Sequence, residues 1–122
     1  MPNENVFAYQ NLPVKENPSS NIVYNHIPGA PTNVVLWTPQ TGKRILLTAI
    51  DISAELQAIV PDVNLQRAGN STFLVARFST TSPSPSAFVQ TFFSALQFDV
   101  DESISVTSAL TLIDITLCGY EI

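Results

Sequence analysis

Apolar and polar residues alternate along most of the chain from residue 33 onward, which is the pattern of half-buried β-strands. Residues 103–107 and 113–118 show this period of two clearly. Turn-forming residues separate the runs at short intervals, as at 39–42, where proline and glycine supply the backbone angles of a tight turn. We therefore predict seven strands, near residues 33–38, 43–54, 60–68, 71–79, 87–98, 103–108 and 110–121.

Two of the predicted strands depart from simple alternation. In residues 43–54 the apolar phase slips, which predicts a β-bulge or a strand that bends from one sheet to the other. In residues 87–98 the apolar spacing also fits a helix, but Thr91 and the flanking patterns favour a strand. Many short strands of this kind are typical of an all-β sandwich or barrel.

Residues 1–32 have a different composition, with five of the nine prolines and six asparagines. Because proline fixes φ and removes a backbone donor, this density predicts an extended N-terminal arm at 1–32, followed by the β domain at 33–122. Apolar side chains in the arm indicate that it packs against its own domain, a symmetry mate or another protein. The alternative is an ordinary N-terminal strand with long flanks. The expected partner contacts are Val6, Phe7, Tyr9, Ile22, Val23 and Tyr24.

Composition and charge narrow the function by exclusion. With 122 residues, 45% of them hydrophobic and 12% charged, the chain is expected to fold as one domain with a buried core. Its net charge of −5 lacks the cationic field that nucleic acid requires. Residues 1–10 lack a secretory signal pattern, and no run approaches the roughly 18–20 apolar residues of a membrane span. We therefore expect neither nucleic acid nor membrane as a partner.

Candidate catalytic groups are few. His26 is the single histidine, and it lies between prolines of the arm, where a catalytic imidazole is hard to position. A hydrogen-bonding or interface role is favoured for it. Cys118 stands in a strand-like run, where a free thiol is usually a small packing residue. Nucleotide-binding, phosphate-binding and Cys-x-x-Cys motifs are absent from the sequence. We expect no enzymatic activity, no catalytic residue and no cofactor.

Three further groups have a functional and a structural interpretation. The acidic run at 99–102 offers oxygen ligands for calcium, but its spacing is not that of an EF-hand, and a solvated turn is favoured. Trp37 would suit a sugar-stacking platform, although a single tryptophan in an apolar strand is more often a core residue. Lys43 and Arg44 fit an ion pair with a neighbouring subunit. No metal site is expected.

Two stretches of the β domain resemble small phage and prophage virion proteins. Residues 34–54 are similar to the strand–turn–strand opening of that group. Residues 96–107 are similar to its acidic turn and Ser/Thr-rich strand, and 113–121 to its final strand closing in Gly-Tyr-Glu. The resemblance, over residues 33–122, implies a jelly-roll-like antiparallel β-sandwich without catalytic residues. Cys118 departs from the group, where a larger residue such as tyrosine is usual.

The resemblance implies a non-enzymatic structural protein of a phage virion, made in the host cytoplasm. Within that group the expected function is capsid decoration, in which the protein binds and stabilises the outer shell. The expected partners are the major capsid protein or another virion protein, and further copies of this chain in a homotrimer. The alternative is a tail or fibre-tip module that binds a host surface glycan through the loops at 68–71 and 82–86.

Overall fold

The computed structural model of the protein describes residues 20–54, 62–78 and 86–122. These residues form eight β-strands and one short 3-10 turn, Ala68–Asn70. The described part of the chain contains no helix that is long and apolar enough to cross a membrane. The strands are β1 (Asn21–Ile27), β2 (Val34–Trp37), β3 (Ile45–Ala54), β4 (Asp62–Arg67), β5 (Ser71–Arg77), β6 (Ser86–Gln97), β7 (Ile104–Ser108) and β8 (Ile113–Glu121).

All seven predicted strands are confirmed, and they correspond to β2 through β8. The stretch at 87–98, which also fitted a helix, is strand β6. The additional strand, β1, lies inside the predicted arm. It falls in a run without proline, between Pro18 and Pro28, so every residue of β1 keeps the backbone donor that a sheet requires. The β-sandwich therefore includes Asn21–Ile27 and does not begin at residue 33.

The eight strands form two four-stranded sheets. Sheet I has the order β1-β8-β3-β6, and sheet II has the order β2-β7-β4-β5. The first strand pairs with the eighth, the second with the seventh, the third with the sixth and the fourth with the fifth, all antiparallel. This is one long hairpin folded over on itself, and the β3–β8 and β4–β7 pairs complete the two sheets. The expected antiparallel sandwich is confirmed, with the strand pairing of a jelly roll.

The hydrophobic core lies between the two sheets. On β8, Ile113, Ile115 and Leu117 are fully buried, whereas the residues between them lie on the outer face of sheet I. The same alternation places Ile50 and Ile52 of β3 inside. Each fully buried aliphatic side chain stabilises the fold by about 1.5–3 kcal/mol relative to an exposed one. The period of two read from the sequence is therefore the pattern that holds the sheets together.

The bulge predicted in the 43–54 strand is confirmed at Thr48 of β3. Leu47 pairs with Gly119 and Ala49 pairs with Cys118, so two consecutive residues of β8 face three residues of β3. The hydroxyl of Thr48 donates to the carbonyl oxygen of Cys118 at 3.0 Å, which satisfies an acceptor next to the disrupted ladder. The bulge thus bends β3 without breaking its pairing with β8.

A larger bulge lies opposite on β6. Pairing of β6 with β3 jumps from Thr91 to Leu96, which leaves residues 92–95 without partners on β3. Phe93 lies in this bulge, and its side chain is fully exposed. The bulge thus exposes a large aromatic side chain to solvent at the edge of sheet I.

The turns of the sandwich meet at two opposite ends. At one end the β2–β3 and β6–β7 turns are joined, because the amide of Gly42 donates to Oδ1 of Asp101 at 2.6 Å. The β4–β5 turn lies at the same end, because the amide of Ala68 donates to Oε2 of Glu102 at 2.8 Å. Strand β6 begins at the opposite end, where Ser86 pairs with the last residue of β3.

Candidate functional site

The outer face of sheet I is the main candidate for an interaction surface. Cross-strand pairing sets its side chains in rows across all four strands. In one row Tyr24 of β1 lies opposite Thr116 of β8. Thr116 lies opposite Asp51 of β3, which in turn lies opposite Val89 of β6. The two inner strands therefore carry small or polar side chains in this row, and the two edge strands carry large apolar ones.

Large apolar side chains are exposed on both edges of this face. On β1, Ile22 is 75% exposed and Tyr24 is 61% exposed. On β6, Val89 is 65% exposed and Phe93 is fully exposed. Edge strands of natural sheets usually carry charges that prevent pairing with other chains. Neither β1 nor β6 contains Lys, Arg, Asp or Glu. These edges are therefore the part of the described surface best suited to burial by a partner.

A cross-strand cluster ties β1 to β8 on the same face. Nδ1 of His26 lies 2.6 Å from Oδ1 of Asp114, and the hydroxyl of Tyr24 donates to that oxygen at 2.8 Å. The hydrogen bond from His26, followed by that from Tyr24, holds the pKa of Asp114 below its ordinary value. The hydrogen bond to the carboxylate raises the pKa of Tyr24. His26 thus has a hydrogen-bonding role, on a regular strand instead of the irregular segment expected for it.

The acidic run at 99–102 is built into the fold through Glu102, which is 6% exposed. Arg67 donates to it twice, from Nε at 3.0 Å and from Nη2 at 2.9 Å. The amides of Ala68 and Asp99 also donate to it, at 2.8 Å and 2.7 Å. Mainly because of Arg67, the pKa of Glu102 falls from its ordinary 4.5 to about 2. The guanidinium of Arg67 also covers the ring of Phe98 at 4.8 Å.

The expectation of a solvated acidic turn is therefore wrong for Glu102, although the structural interpretation of the run is correct. Asp101 has a positive φ of 63°, and its amide donates to the carbonyl oxygen of Lys43 at 2.8 Å. Its side chain accepts from Gly42 on the same turn. Within residues 20–54, 62–78 and 86–122, no group of three or more His, Cys, Asp or Glu side chains could hold a metal ion.

Trp37 is a core residue and is not available as a sugar-stacking platform. Its side chain is 5% exposed, and Nε1 donates to Oε2 of Glu121 at 2.8 Å. The other oxygen of Glu121 accepts from the amide of Gln40 at 3.0 Å. The core interpretation of the tryptophan is confirmed. Sequence reasoning missed Glu121, because nothing in a linear pattern relates the end of β8 to β2.

The outer face of sheet II carries a polar network that sequence reasoning also missed. Gln66 of β4 is 7% exposed, and its Oε1 accepts from Thr107 at 2.9 Å and from Ser105 at 3.4 Å. The hydroxyl of Thr107 also lies 3.1 Å from Oδ1 of Asn33. The backbone amide of Asn33 donates to the same hydroxyl at 2.9 Å. These groups of β4, β7 and the residue before β2 therefore hydrogen-bond to one another within the domain.

The expected partner contacts on β1 point to opposite faces of sheet I, because side chains alternate along a strand. Ile22 and Tyr24 lie on the outer face of sheet I, where they are exposed. Val23 points the other way, where it is partly buried against the core. Cys118 is half-buried on the same outer face, directly opposite Ile22. The remaining expected contacts lie outside the described residues, and they are Val6, Phe7 and Tyr9.

Only one of the two loops of the glycan alternative lies wholly within the described residues. Ala68–Asn70 lies at the end of the sandwich where Ala68 contacts Glu102. Ser86 lies at the opposite end, because it pairs with Ala54. Residues 82–85 are outside the described residues.

Comparison of the chain with protein-family models, with curated proteins and with solved structures gives no match. The class of the protein is therefore defined by its own topology, which is an eight-stranded jelly-roll sandwich. Its candidate site is the outer face of sheet I and the two apolar edges of that sheet.

Proposed function

We propose that this protein is a non-enzymatic structural protein of a phage virion that decorates the capsid shell. The observation that carries the proposal is the combination of a jelly-roll body with two edge strands on one sheet that contain no Lys, Arg, Asp or Glu and expose large apolar side chains. The jelly roll is a common architecture of viral capsid proteins and of lectin domains. Apolar side chains at exposed edges fit a protein that works by contact with other chains.

Decoration stabilises a shell through mass action. A protein that binds the assembled shell and not its separated subunits shifts the equilibrium toward assembly. Binding at junctions between coat subunits adds contacts that must be broken before the shell comes apart. Several copies around a symmetry axis act together, because each bound copy raises the effective concentration of the others. A small domain with modest individual contacts is sufficient for this function.

The N-terminal segment supplies further contacts in this proposal. Residues 1–19 join the sandwich directly before β1, whose Ile22 and Tyr24 are exposed. Nineteen residues span up to about 65 Å when extended, which is well beyond the width of a small domain. The segment contains Val6, Phe7 and Tyr9, so it can bury apolar surface on a shell that the sandwich itself does not reach.

The test must leave β1 in place. Deleting residues 1–32 would remove an integral strand of sheet I, so substitutions in the full chain are required. We expect the triple variant Val6→Ser, Phe7→Ser, Tyr9→Ser to bind particles at least about 100-fold more weakly, since burial of one such side chain is worth about 1.5–3 kcal/mol. Cosedimentation of the labelled protein with virions of the phage or prophage that encodes it measures this loss.

A matched control changes the same segment without removing its apolar side chains. The variant Asn3→Ser, Asn5→Ser, Asn11→Ser should sediment with particles as the wild type does. Equal binding of the apolar variant and the wild type would contradict the proposed role of the segment. Failure of the wild type to bind particles would overturn decoration itself. Specific binding to a glycan array in that case would support the tail-module alternative.

A further inference from the structure

The two edges of sheet I lack the charged side chains and prolines by which natural proteins often protect a free sheet edge, although β6 carries the bulge at residues 92–95. Strand β6 is 12 residues long and β1 is 7, and neither contains Lys, Arg, Asp, Glu or Pro. Within the part of the chain that the structure describes, each has one hydrogen-bonded neighbour. An open row of backbone donors and acceptors readily pairs with another strand unless charges, prolines or short length prevent it.

The edges of sheet II do show such protection. Strand β2 has only 4 residues, and its pairing with β7 shifts register between Val35 and Trp37. Strand β5 carries Arg77, which pairs with Asp62 of β4. The edges of sheet I differ in exposing larger apolar side chains, although β1 also carries His26, which contacts Asp114 of β8; the exposed side chains are Ile22, Tyr24, Val89 and Phe93.

The two open edges of sheet I run in opposite directions. Every neighbouring pair in the order β1-β8-β3-β6 is antiparallel, so β1 and β6 are antiparallel to each other. A second copy placed beside the first in the same orientation therefore presents its β1 to β6 as an antiparallel neighbour. We propose that β6 of one copy pairs with β1 of the next copy, so that sheet I continues from copy to copy.

The outward side chains of the two strands match in this arrangement. Ile22 and Tyr24 of β1 would lie beside Val89 of β6 on the same outer face. Cross-strand pairs of aromatic and β-branched side chains are favourable in antiparallel sheets. The chain has a net charge of −5, but neither edge strand carries a carboxylate, so like-charge repulsion does not oppose contact between these strands.

The arrangement also accounts for the exposed Phe93. Strand β1 begins at Asn21, which pairs with Gly119 and so lies level with Leu47. Leu47 pairs with Leu96 of β6, next to the bulge that contains Phe93. The start of the neighbouring β1 would thus lie beside this bulge. Phe93 would contact the neighbouring chain there instead of water.

The contact joins two different surfaces, so it is heterologous and produces a ring when the rotation between copies closes. A homotrimer is one such ring. The pairing of β6 with β1 would be the contact that holds together the homo-oligomer of the proposed function. To that extent the inference rests on the proposed function. Association is measured on the protein alone, so a failure to associate is distinguishable from a failure to bind the shell.

The test is the mass of the full-length protein in solution, measured by light scattering after size-exclusion chromatography. The wild type should have a mass of at least two chains, each chain having a mass of 13.3 kDa. We expect Val89→Lys on β6 and Ile22→Lys on β1 each to raise the concentration needed for association by at least about tenfold. Val75→Lys is the matched control, because Val75 is also exposed on an edge strand, β5 of sheet II, and it should associate as the wild type does.

Mixing the two edge variants tests whether the contact is heterologous. The intact β6 of Ile22→Lys and the intact β1 of Val89→Lys should pair, so the mixture should form a dimer at a concentration where each variant alone is monomeric. Thermal unfolding checks that the variants fold, and Thr91→Lys on the same strand replaces Val89→Lys if that variant does not. A monomeric wild type, unchanged association of the variants, or a monomeric mixture would each overturn the proposal.

Discussion

The edge strands of the two sheets of this jelly roll differ. Sheet II has a short edge at β2, an ion pair between Arg77 and Asp62 at β5, and a polar network on its outer face. Sheet I has two edges without a Lys, Arg, Asp or Glu side chain, and these edges hold out Ile22 and Phe93. The edges of sheet II are short or carry an Arg–Asp ion pair, whereas the edges of sheet I expose large apolar side chains.

This difference separates residues that maintain the fold from residues that are free for contact. Some charged groups, above all Glu102 and Arg67, form ion pairs within the domain. Changing them should alter the stability of the domain and leave association unchanged. Changing the exposed residues at the edges of sheet I should do the opposite.

The largest effect on stability is expected from Glu102→Gln. The substitution keeps the shape of the side chain but removes the negative charge that pairs with Arg67. Breaking a buried ion pair by removing one partner costs about 3–5 kcal/mol, and the side chain of Arg67 is 31% exposed, so we expect about 3 kcal/mol. Urea unfolding measures the change. Asp51→Asn, an exposed site on sheet I, should change the free energy of unfolding by less than about 0.5 kcal/mol.

The same residue predicts a dependence on pH. The pKa of Glu102 is lowered from 4.5 to about 2, so its contribution to stability is complete above 4.5 and is lost as the pH falls toward 2. The difference in unfolding free energy between the wild type and Glu102→Gln should therefore shrink over that interval. A difference that stays constant down to pH 2 would show that the charge of Glu102 does not stabilise the fold.

An intermediate effect is expected from Gly119→Ala, in the interior of sheet I. A Cβ at this position would collide with the backbone carbonyl oxygen of Leu46 on the neighbouring strand β3. We expect a loss of about 2 kcal/mol, as for other overpacked sites. Gly29→Ala is the control, because no atom lies within 4 Å of its added Cβ, and thermal unfolding should show no difference from the wild type. Equal stability of both variants would contradict the register of β3 against β8.

The smallest effect is expected from Arg77→Ala on the edge of sheet II. Arg77 is 73% exposed and pairs with Asp62, and exposed ion pairs contribute little to stability because water and salt screen them. The substitution should lower the unfolding free energy by less than Gly119→Ala does, and by less again at high salt. A loss in thermal unfolding as large as that of Gly119→Ala would mean that this edge maintains the fold to an extent that the structure does not explain.

The sequence predicts strands well because each strand records its own environment. Alternation along 113–121 and 103–108 follows directly from one buried and one exposed face. Strand β1 corresponds to the alternative interpretation of residues 1–32, an N-terminal strand with long flanks, which is not the favoured one because the proline density of the whole segment indicates an arm. Its own run from Pro18 to Pro28 contains no proline between those two and carries Ile22, Tyr24 and His26 at alternate positions, which is the signal that could have found it.

Contacts between strands are not predictable in the same way, since they depend on order and register. Arg67 and Glu102 are 35 residues apart, and Trp37 and Glu121 are 84 apart. A shift of one residue in pairing would move either partner to the other face. For the same reason composition indicates Ile22 and Tyr24 as expected contacts but does not indicate Val89, because only the topology shows that β6 is an edge strand.

Amide hydrogen exchange at two protein concentrations tests the difference between the sheets most directly, because all the edges are observed in one sample. The amides of β1 and β6 that point away from their own sheet should exchange more slowly at high concentration, as copies associate through sheet I. Those of β2 and β5 should exchange at the same rate at both concentrations. The account is contradicted if the exchange rates of the edge amides do not depend on concentration, or if those of sheet II depend on it as strongly as those of sheet I. Either result would show that the edges of sheet I are not the surface through which copies associate.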